Sequence, residues 1–490
     1  MASGTDESSP NSDETKKNEE SVLLERRELS AGTHEAPPLE HESYFKRFLH
    51  HDMVGSGFLL FAGVAAVIIA NGPFVEQYHH FWETPLGISF GDGGGFQKSL
   101  HHWVNDGLMS IFFFLVGLEI KRELLAGELN DVRKAMLPAA AAVGGMIVPA
   151  LIFAAFNAGK PSAAGWGIPM ATDIAFAAGC IALLRKWVPL SLMVFLVALA
   201  IVDDLGAVTV IALFYTEKIA VGPLVVGGSL IVLSFCMGQL GIRRTWPYVV
   251  IGIIIWFAFL ESGIHATIAG VLLAFTIPEK ARYHTHNFRG RMETLIGKFD
   301  DAEKLWDDDL SVVETDLKDL MVNHAQQGLI RRMNDECHFV EAPLQRIEHN
   351  IEPFSVFVIM PIFAFANAGV HLELSHLGEM IKQPITLGII FGLFIGKPLG
   401  IVLASFVMVK LGFASLPRGV TWAQLTGVGF LAGIGFTMSL FVNELAFLGI
   451  EPEQAEELIS SGKIGIFIAS ILSAVVGLVW LKVTCKDVQD

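Results

Sequence analysis

The sequence predicts an all-α polytopic membrane protein of about twelve transmembrane helices, and three observations carry that reading. Largely apolar runs of eighteen or more residues recur along a 490-residue chain that is 52% hydrophobic and only 17% charged. Mean hydropathy is correspondingly high, at +0.52. Lys and Arg collect in alternate loops, as they do in multi-pass proteins. Two of the apolar runs are broken by glycine and proline, which points to discontinuous helices.

In chain order, residues 1–45 are acidic and polar with no apolar stretch of the signal-peptide kind, and read as a disordered cytoplasmic tail. Apolar spans are expected at 54–72, 101–124, 135–157, 165–184, 189–215, 219–240, 247–260, 263–278, 354–371, 384–410, 422–446 and 463–482. The seventh and eighth are short enough to form one re-entrant pair. Basic residues precede span 1 (Arg26, Arg27, Lys46, Arg47) and follow spans 2 (Lys121, Arg122, Arg133, Lys134), 4 (Arg185, Lys186), 6 (Arg243, Arg244), 8, 10 (Lys410, Arg418) and 12 (Lys482, Lys486). The intervening loops hold only Lys98, Lys160, Lys218 and Lys382. An even number of spans with both termini cytoplasmic satisfies that asymmetry.

Four regions follow: the tail at 1–45, spans 1–8 within 46–282, a charged cytoplasmic insertion at 283–352, and spans 9–12 with a short cytoplasmic tail at 353–490. Residues 82–99 alternate weakly around a Gly-rich turn and read as an external β-hairpin, a candidate surface for pairing with a second subunit as a homodimer. In the insertion, Leu310, Val313, Leu317, Leu320 and Met321 recur at helical spacing, which predicts one or two amphipathic helices in a soluble appendage.

The formal charge of −16 sits mostly in the first 45 residues and near 299–352, so it describes water-facing segments and leaves no basic footprint for nucleic acid. Cys180, Cys236, Cys337 and Cys485 are far apart, with no CxxC pair and no disulfide framework, and read as free thiols.

The chemistry lies in charges placed where a bilayer penalises them. Asp203 and Asp204 fall near the middle of span 5, Lys397 at the centre of span 10, and Asp173 near the middle of span 4. A carboxylate at that depth costs roughly 2.5–3.5 kcal/mol on insertion scales. Adjacent residues on a helix diverge by about 100°, so one of Asp203 and Asp204 can face Lys397 while the other faces a cavity. A lone Asp–Lys pair is explained by helix–helix stapling. Surplus buried acid without fixed partners implies mobile ones, protons or metal cations. Crowded carboxylates exchange protons near neutral pH, and an oxygen-rich set of carboxylates with the Thr172 hydroxyl suits a hard alkali cation.

Helix breaks are signalled by Gly165, Gly167 and Pro169 ahead of Thr172 and Asp173, and by Gly427, Gly429, Gly433 and Gly435 in span 11. Spans 3–5 and 10–12 start from opposite sides, each with its suspect in the middle, which is the pattern of an inverted repeat with discontinuous spans 4 and 11. Half-helix N-termini there add partial positive charge that Asp173 can offset, and C-termini partial negative charge that Lys397 can offset.

The segments ATDIAFA, ALAIVDDLGAVTVIALFYT, FLVGLEIKREL, GIHATIAG, PIFAFANAGV, IGKPLGI and GIGFTMSLF together resemble the NhaA-type sodium/proton antiporters, a standard example of inverted-repeat transporters. They fall in order between about residues 50 and 482. The resemblance implies electrogenic exchange of cytoplasmic Na⁺ or Li⁺ for external H⁺ in a bacterial inner membrane, with no cofactor beyond the transported ions. It implies Asp204 as the principal ion and proton carboxylate, Asp203 as its partner opposite Lys397, and Thr172 with Asp173 completing an unwound crossing. It ties Glu119, Glu348, His349 and, more weakly, His265 to activation by alkaline pH. The chain departs from the family in its long insertion, in Gln345 at a position often basic, and in Glu261 where a Lys can occur. Those departures bear on the pH threshold rather than on transport chemistry.

Other readings meet specific obstacles. An intramembrane aspartyl protease needs its two Asp on separate helices and a GxGD motif, and a prenyltransferase needs DDxxD where DDLGA stops at two. A non-transporting scaffold requires the buried charges to be inert.

Overall fold

The computed structural model describes residues 44–90, 94–216, 219–281, 285–309, 324–370 and 377–485. The chain divides into two compact units, residues 1–48 and 49–490. Of the first, only the opening of helix α1 (Tyr44–Ala70) is described, so the tail expected at 1–45 lies almost wholly outside the described residues.

Among the described residues, the second unit is built of helices and one hairpin. After α1 come α2 (Val75–Glu83), the antiparallel strands β1 (Pro85–Phe90) and β2 (Gly94–Ser99), α3 (Leu100–Ala126) and α4 (Val132–Asn157). A 3₁₀ segment (Pro161–Met170) then leads into α5 (Ile174–Leu183), followed by α6 (Leu190–Phe214), α7 (Val221–Gln239), α8 (Trp246–Ser262) and α9 (Ala266–Thr276). The insertion supplies α10 (Thr285–Asp309) and α11 (His324–Val340). Last come α12 (Pro343–Asn367), α13 (Leu377–Lys382), α14 (Pro384–Lys410), α15 (Trp422–Ala432), α16 (Phe436–Ala446) and α17 (Pro452–Thr484).

Among the described residues, eight helices are long and apolar enough to cross a membrane. The 3₁₀ segment with α5 and α15 with α16 form two further apolar passages, bent by 42° and 49°. With the shorter α8 and α9 these make twelve apolar segments in the expected order, two of them discontinuous. The protein is an all-α, multi-pass membrane protein. Its surface fits that solvent: Phe61 and Leu213 are 72% and 70% exposed, while Asp173 and Lys397 are 0% exposed.

Boundaries differ from expectation where helices leave the apolar zone. The helix expected at 354–371 begins at Pro343, and the one expected at 463–482 begins at Pro452. Both extra stretches are polar, and hydropathy does not register a helix continuing into water. Spans 7 and 8 are separate helices, α8 and α9, turned at Gly263, whose φ of 79° favours glycine.

Two features position the site. Helices α4 and α14 run antiparallel with their backbones touching at Gly144 and Gly400, where a side chain on either glycine would collide with the other's carbonyl. A π-helical turn at Gly392–Gly396 inside α14 re-aims the helix directly before Lys397.

The hairpin pairs Pro85 with Ser99 through to Phe90 with Gly94, and Trp103 Nε1 donates to Leu86 O at 2.9 Å. In the insertion, Arg291 Nη1 meets Glu336 Oε1 at 3.1 Å, tying α10 to α11. The apolar run Leu310, Val313, Leu317, Leu320 and Met321 lies outside the described residues.

Candidate functional site

The two helix breaks cross, and their loose ends satisfy each other. A helix that stops inside a protein leaves unpaired carbonyls at one end and N–H groups at the next start. Here Asp173 N donates to Ile434 O at 2.7 Å, and the Thr172 hydroxyl donates to Ala432 O at 2.8 Å. Ser439 Oγ donates to Ile168 O at 2.8 Å. Glycine is required at the crossing, since a Cβ on Gly433 would lie 2.6 Å from Leu393 O.

Asp173 serves both helix starts. It caps α5 by accepting from Phe176 N at 3.0 Å, and its other oxygen accepts from Thr437 N at 3.0 Å and Thr437 Oγ1 at 2.6 Å, at the start of α16. One buried carboxylate therefore faces two positive helix ends. Lys397 faces the opposite kind of end, donating to the carbonyl of Met170, the last residue of the 3₁₀ segment. Charge and helix polarity match at both places.

Helix α6 crosses this pair carrying Asp203 and Asp204, each 1% exposed. Lys397 Nζ donates to Asp203 Oδ2 at 2.6 Å, forming an ion pair with no solvent exposure on either side chain. Asp204 is different. Both of its oxygens are buried and accept no hydrogen bond from any described residue. An ionised carboxylate left so costs several kcal/mol, many times the thermal energy, so this group holds either a proton or a cation. Thr172, Asp173, Asp203, Asp204 and Lys397 thus come from three elements to one buried locus, and Asp204 alone among its carboxylates accepts no hydrogen bond from a described residue.

The remaining sequence candidates fall into two places. Arg122 Nη1 lies 2.5 Å from Glu348 Oε1, and Nη2 lies 3.3 Å from Glu123 Oε1. Glu119, one turn away on α3, is close enough to act electrostatically on both Arg122 and Asp204. Glu348 is buried and His349, next to it, is exposed. Arg122, Glu123 and Glu348 form a charged cluster between α3 and the start of α12, with Glu119 between it and the buried site. His265 is elsewhere, with Nδ1 4.0 Å from Asp106 Oδ1, sixteen residues before Arg122 on α3 and so about 24 Å away along it.

Several contacts have no counterpart in the sequence reading: Thr437 on Asp173, Arg122 on Glu348, and the Met170 carbonyl on Lys397. Thr437 could have been found from its place two residues after the Gly435 break, mirroring Thr172–Asp173 after Pro169. A backbone carbonyl leaves no mark in a sequence.

Residues 46–481 match the family described as Na+/H+ antiporter 1. The chain is 45% identical over 437 residues to Na+/H+ antiporter NhaA 1 of Saccharophagus degradans, covering 89% of this chain and 90% of the relative. It is 45% identical over 438 residues to Na+/H+ antiporter NhaA 2 of Syntrophotalea carbinolica, with 89% and 96% covered. It is 44% identical over 445 residues to Na+/H+ antiporter NhaA of Sulfurimonas denitrificans, with 90% and 96% covered. With crossed helix breaks, a buried Asp–Lys pair and a buried carboxylate without a described hydrogen-bond donor on one side, and these matches on the other, the chain belongs to the Na+/H+ antiporter family of the NhaA type.

Proposed function

We propose that the protein is a secondary transporter, not an enzyme, that exchanges cytoplasmic Na⁺ or Li⁺ for external H⁺ by alternating access, without any cofactor. The observation that carries the proposal is the buried Asp204 carboxylate, which accepts no hydrogen bond from a described residue on either oxygen. Such a group binds a proton or an alkali cation, one at a time, and that competition is the coupling. Asp203 lies beside it, neutralised by Lys397, and Thr172 and Asp173 hold the crossing at which the two half-helix pairs meet. A hard cation on Asp204 draws further oxygen ligands from Asp203 and the Thr172 hydroxyl. Drawing Asp203 away frees Lys397 to give up a proton, so more than one proton moves per Na⁺ and exchange is electrogenic.

Activation by alkaline pH fits the cluster of Glu119, Arg122 and Glu348, with His349 beside it in the chain, since a change of charge there alters the field at Asp204. His265, at the other end of α3, stands apart from that cluster. The positive-inside pattern supports cytoplasmic termini, and the bacterial relatives support an inner-membrane location. The hairpin at 85–99 has open edges and supports pairing with a second copy. Removing its strands would then convert a dimer to a monomer in native mass spectrometry.

The exchange reading is tested in everted vesicles holding a pH gradient. Adding Na⁺ or Li⁺ should collapse the gradient in wild type, and a protein that leaves it intact with either ion at every pH is not an exchanger.

A further inference from the structure

A second cluster of titratable groups lines a cavity of about 350 Å³ at the other end of α3, among them His101, His102, Asp106, Tyr215, His265 and Glu444. We infer that this cavity is the external proton-loading chamber, with the His102 and His265 imidazoles on either side of the Asp106 carboxylate as its acceptors. The inference rests on the exchange reading above and adds where the incoming proton first binds.

Asp106 sits inside a π-helical turn of α3 (Trp103–Leu108), an irregularity that re-aims side chains and often marks functional positions. His102 Nε2 lies 2.9 Å from Asp106 Oδ2, in contact but without hydrogen-bond geometry, and His265 Nδ1 lies 4.0 Å from Oδ1. Imidazole is the side chain that ordinarily exchanges protons between pH 5 and 8, and a carboxylate between two imidazoles favours the charged ring. Around it, Lys98 comes from the hairpin, His101 from the start of α3, Tyr215 from the end of α6 and Glu444 from α16, and Glu444 is paired with Lys463 of α17 at 2.8 Å. His101 Nε2 donates to Asn367 Oδ1 at 3.1 Å, and Asn367 is also bonded to Asn105, which fixes that wall. Each of the two carboxylates thus has a cationic or imidazole neighbour, so the chamber can accept protons without accumulating uncompensated charge.

A seal separates this chamber from the buried site. Phe113 of α3, Phe363 of α12 and Phe441 of α16 are each at most 1% exposed, and their rings meet with centroids 5.5 Å (Phe113–Phe441) and 6.0 Å (Phe363–Phe441) apart. Along α3 the order is Asp106, Phe113, Glu119. Along α16 it is Glu444, Phe441, Thr437, and Thr437 holds Asp173. On both helices the aromatic layer lies between the chamber and the site. Tyr215 connects the two levels, with its hydroxyl donating to Ala164 O and accepting from Gly167 N in the 3₁₀ segment that ends at Met170.

The test uses full-length protein in everted vesicles, where the lumen is the external side, with lumenal and cytoplasmic-side pH set independently. Asp106→Asn and the double variant His102→Gln/His265→Gln should each shift the lumenal pH of half-maximal exchange by about one unit or more, leaving the cytoplasmic-side profile in place. Profiles that overlay wild type, or that move equally on both sides, overturn the inference. A separate readout needs no transport. A cysteine introduced as Glu444→Cys should react from the external side with a membrane-impermeant thiol reagent, beyond the wild-type background, while Thr437→Cys should not. Labelling of Glu444→Cys only from the cytoplasmic side, or equal external labelling of both, also overturns it. Absence of exchange in wild type, with external labelling intact, counts against the exchange reading instead.

Discussion

Removing Lys397 strands a carboxylate, and the size of the effect follows from the geometry. The ammonium is 2.6 Å from Asp203 Oδ2, and neither side chain is exposed to solvent. Breaking a buried pair on one side typically costs about 3–5 kcal/mol. Asp203 in the variant can escape by taking a proton, which for an ordinary carboxyl costs about 4 kcal/mol at pH 7 and about 1.5 kcal/mol at pH 5. That cost caps the electrostatic part of the loss. The loss is therefore largest at high pH and shrinks as pH falls towards the ordinary carboxyl range. With unfolding entropy of roughly 1 kcal/mol/K for a chain of this length, Lys397→Ala should lower Tm by roughly 4 °C at pH 7 and by roughly 1–2 °C at pH 5. Lys397→Met retains most of the stem that packs on Gly145 and isolates the charge effect from the packing effect. Adding Asp203→Asn to either variant should restore most of the lost stability. Scanning fluorimetry in detergent across this pH range measures all of these. An unchanged Tm at pH 7 with unaltered electrogenicity, or a loss that does not vary with pH, refutes the assignment of Lys397 as the charge partner of Asp203.

Thr437→Val removes the hydroxyl on Asp173, a hydrogen bond to a charged group of about 1.5–3 kcal/mol, and should lower Tm and raise the Na⁺ concentration for half-maximal exchange several-fold. Arg122→Gln should displace the cytoplasmic-side pH profile of exchange by about one unit with Na⁺ dependence at the optimum little changed, as read in everted vesicles. Replacing residues 285–340 by a short linker should leave exchange intact and at most move its pH profile. The ends of that stretch are already pinned, with Leu344 N donating to Pro278 O at 3.3 Å, so closing the gap demands little of the chain. Loss of transport in a well-folded deletion would show that α10 and α11 belong to the transport machinery.

Much of this architecture is legible in the sequence because a bilayer makes charge conspicuous. Asp173, Asp203, Asp204 and Lys397 stand out of apolar runs, and the glycines and proline ahead of Asp173 and the glycines of span 11 mark the breaks. Less conspicuous groups stay hidden for physical reasons. Thr437 incurs almost no hydropathy penalty in a helix, and the Met170 carbonyl has no side-chain signature. The starts of α12 and α17 were invisible because a helix can run on into water with one apolar stripe: Leu344 and Ile347 are buried while Gln345 and His349 face out. The pairing of Arg122 with Glu348 joins residues 226 apart, and only the fold brings those helices together.

The central claim is that Na⁺ and H⁺ compete for Asp204, and its most direct test is proton release by the purified protein. In weakly buffered detergent solution near the pH of maximal exchange, adding Na⁺ should release protons from wild type in proportion to the sites filled, and should release none from Asp204→Asn. Equal proton release by the two proteins, or Na⁺ binding to wild type without any proton release, would contradict it.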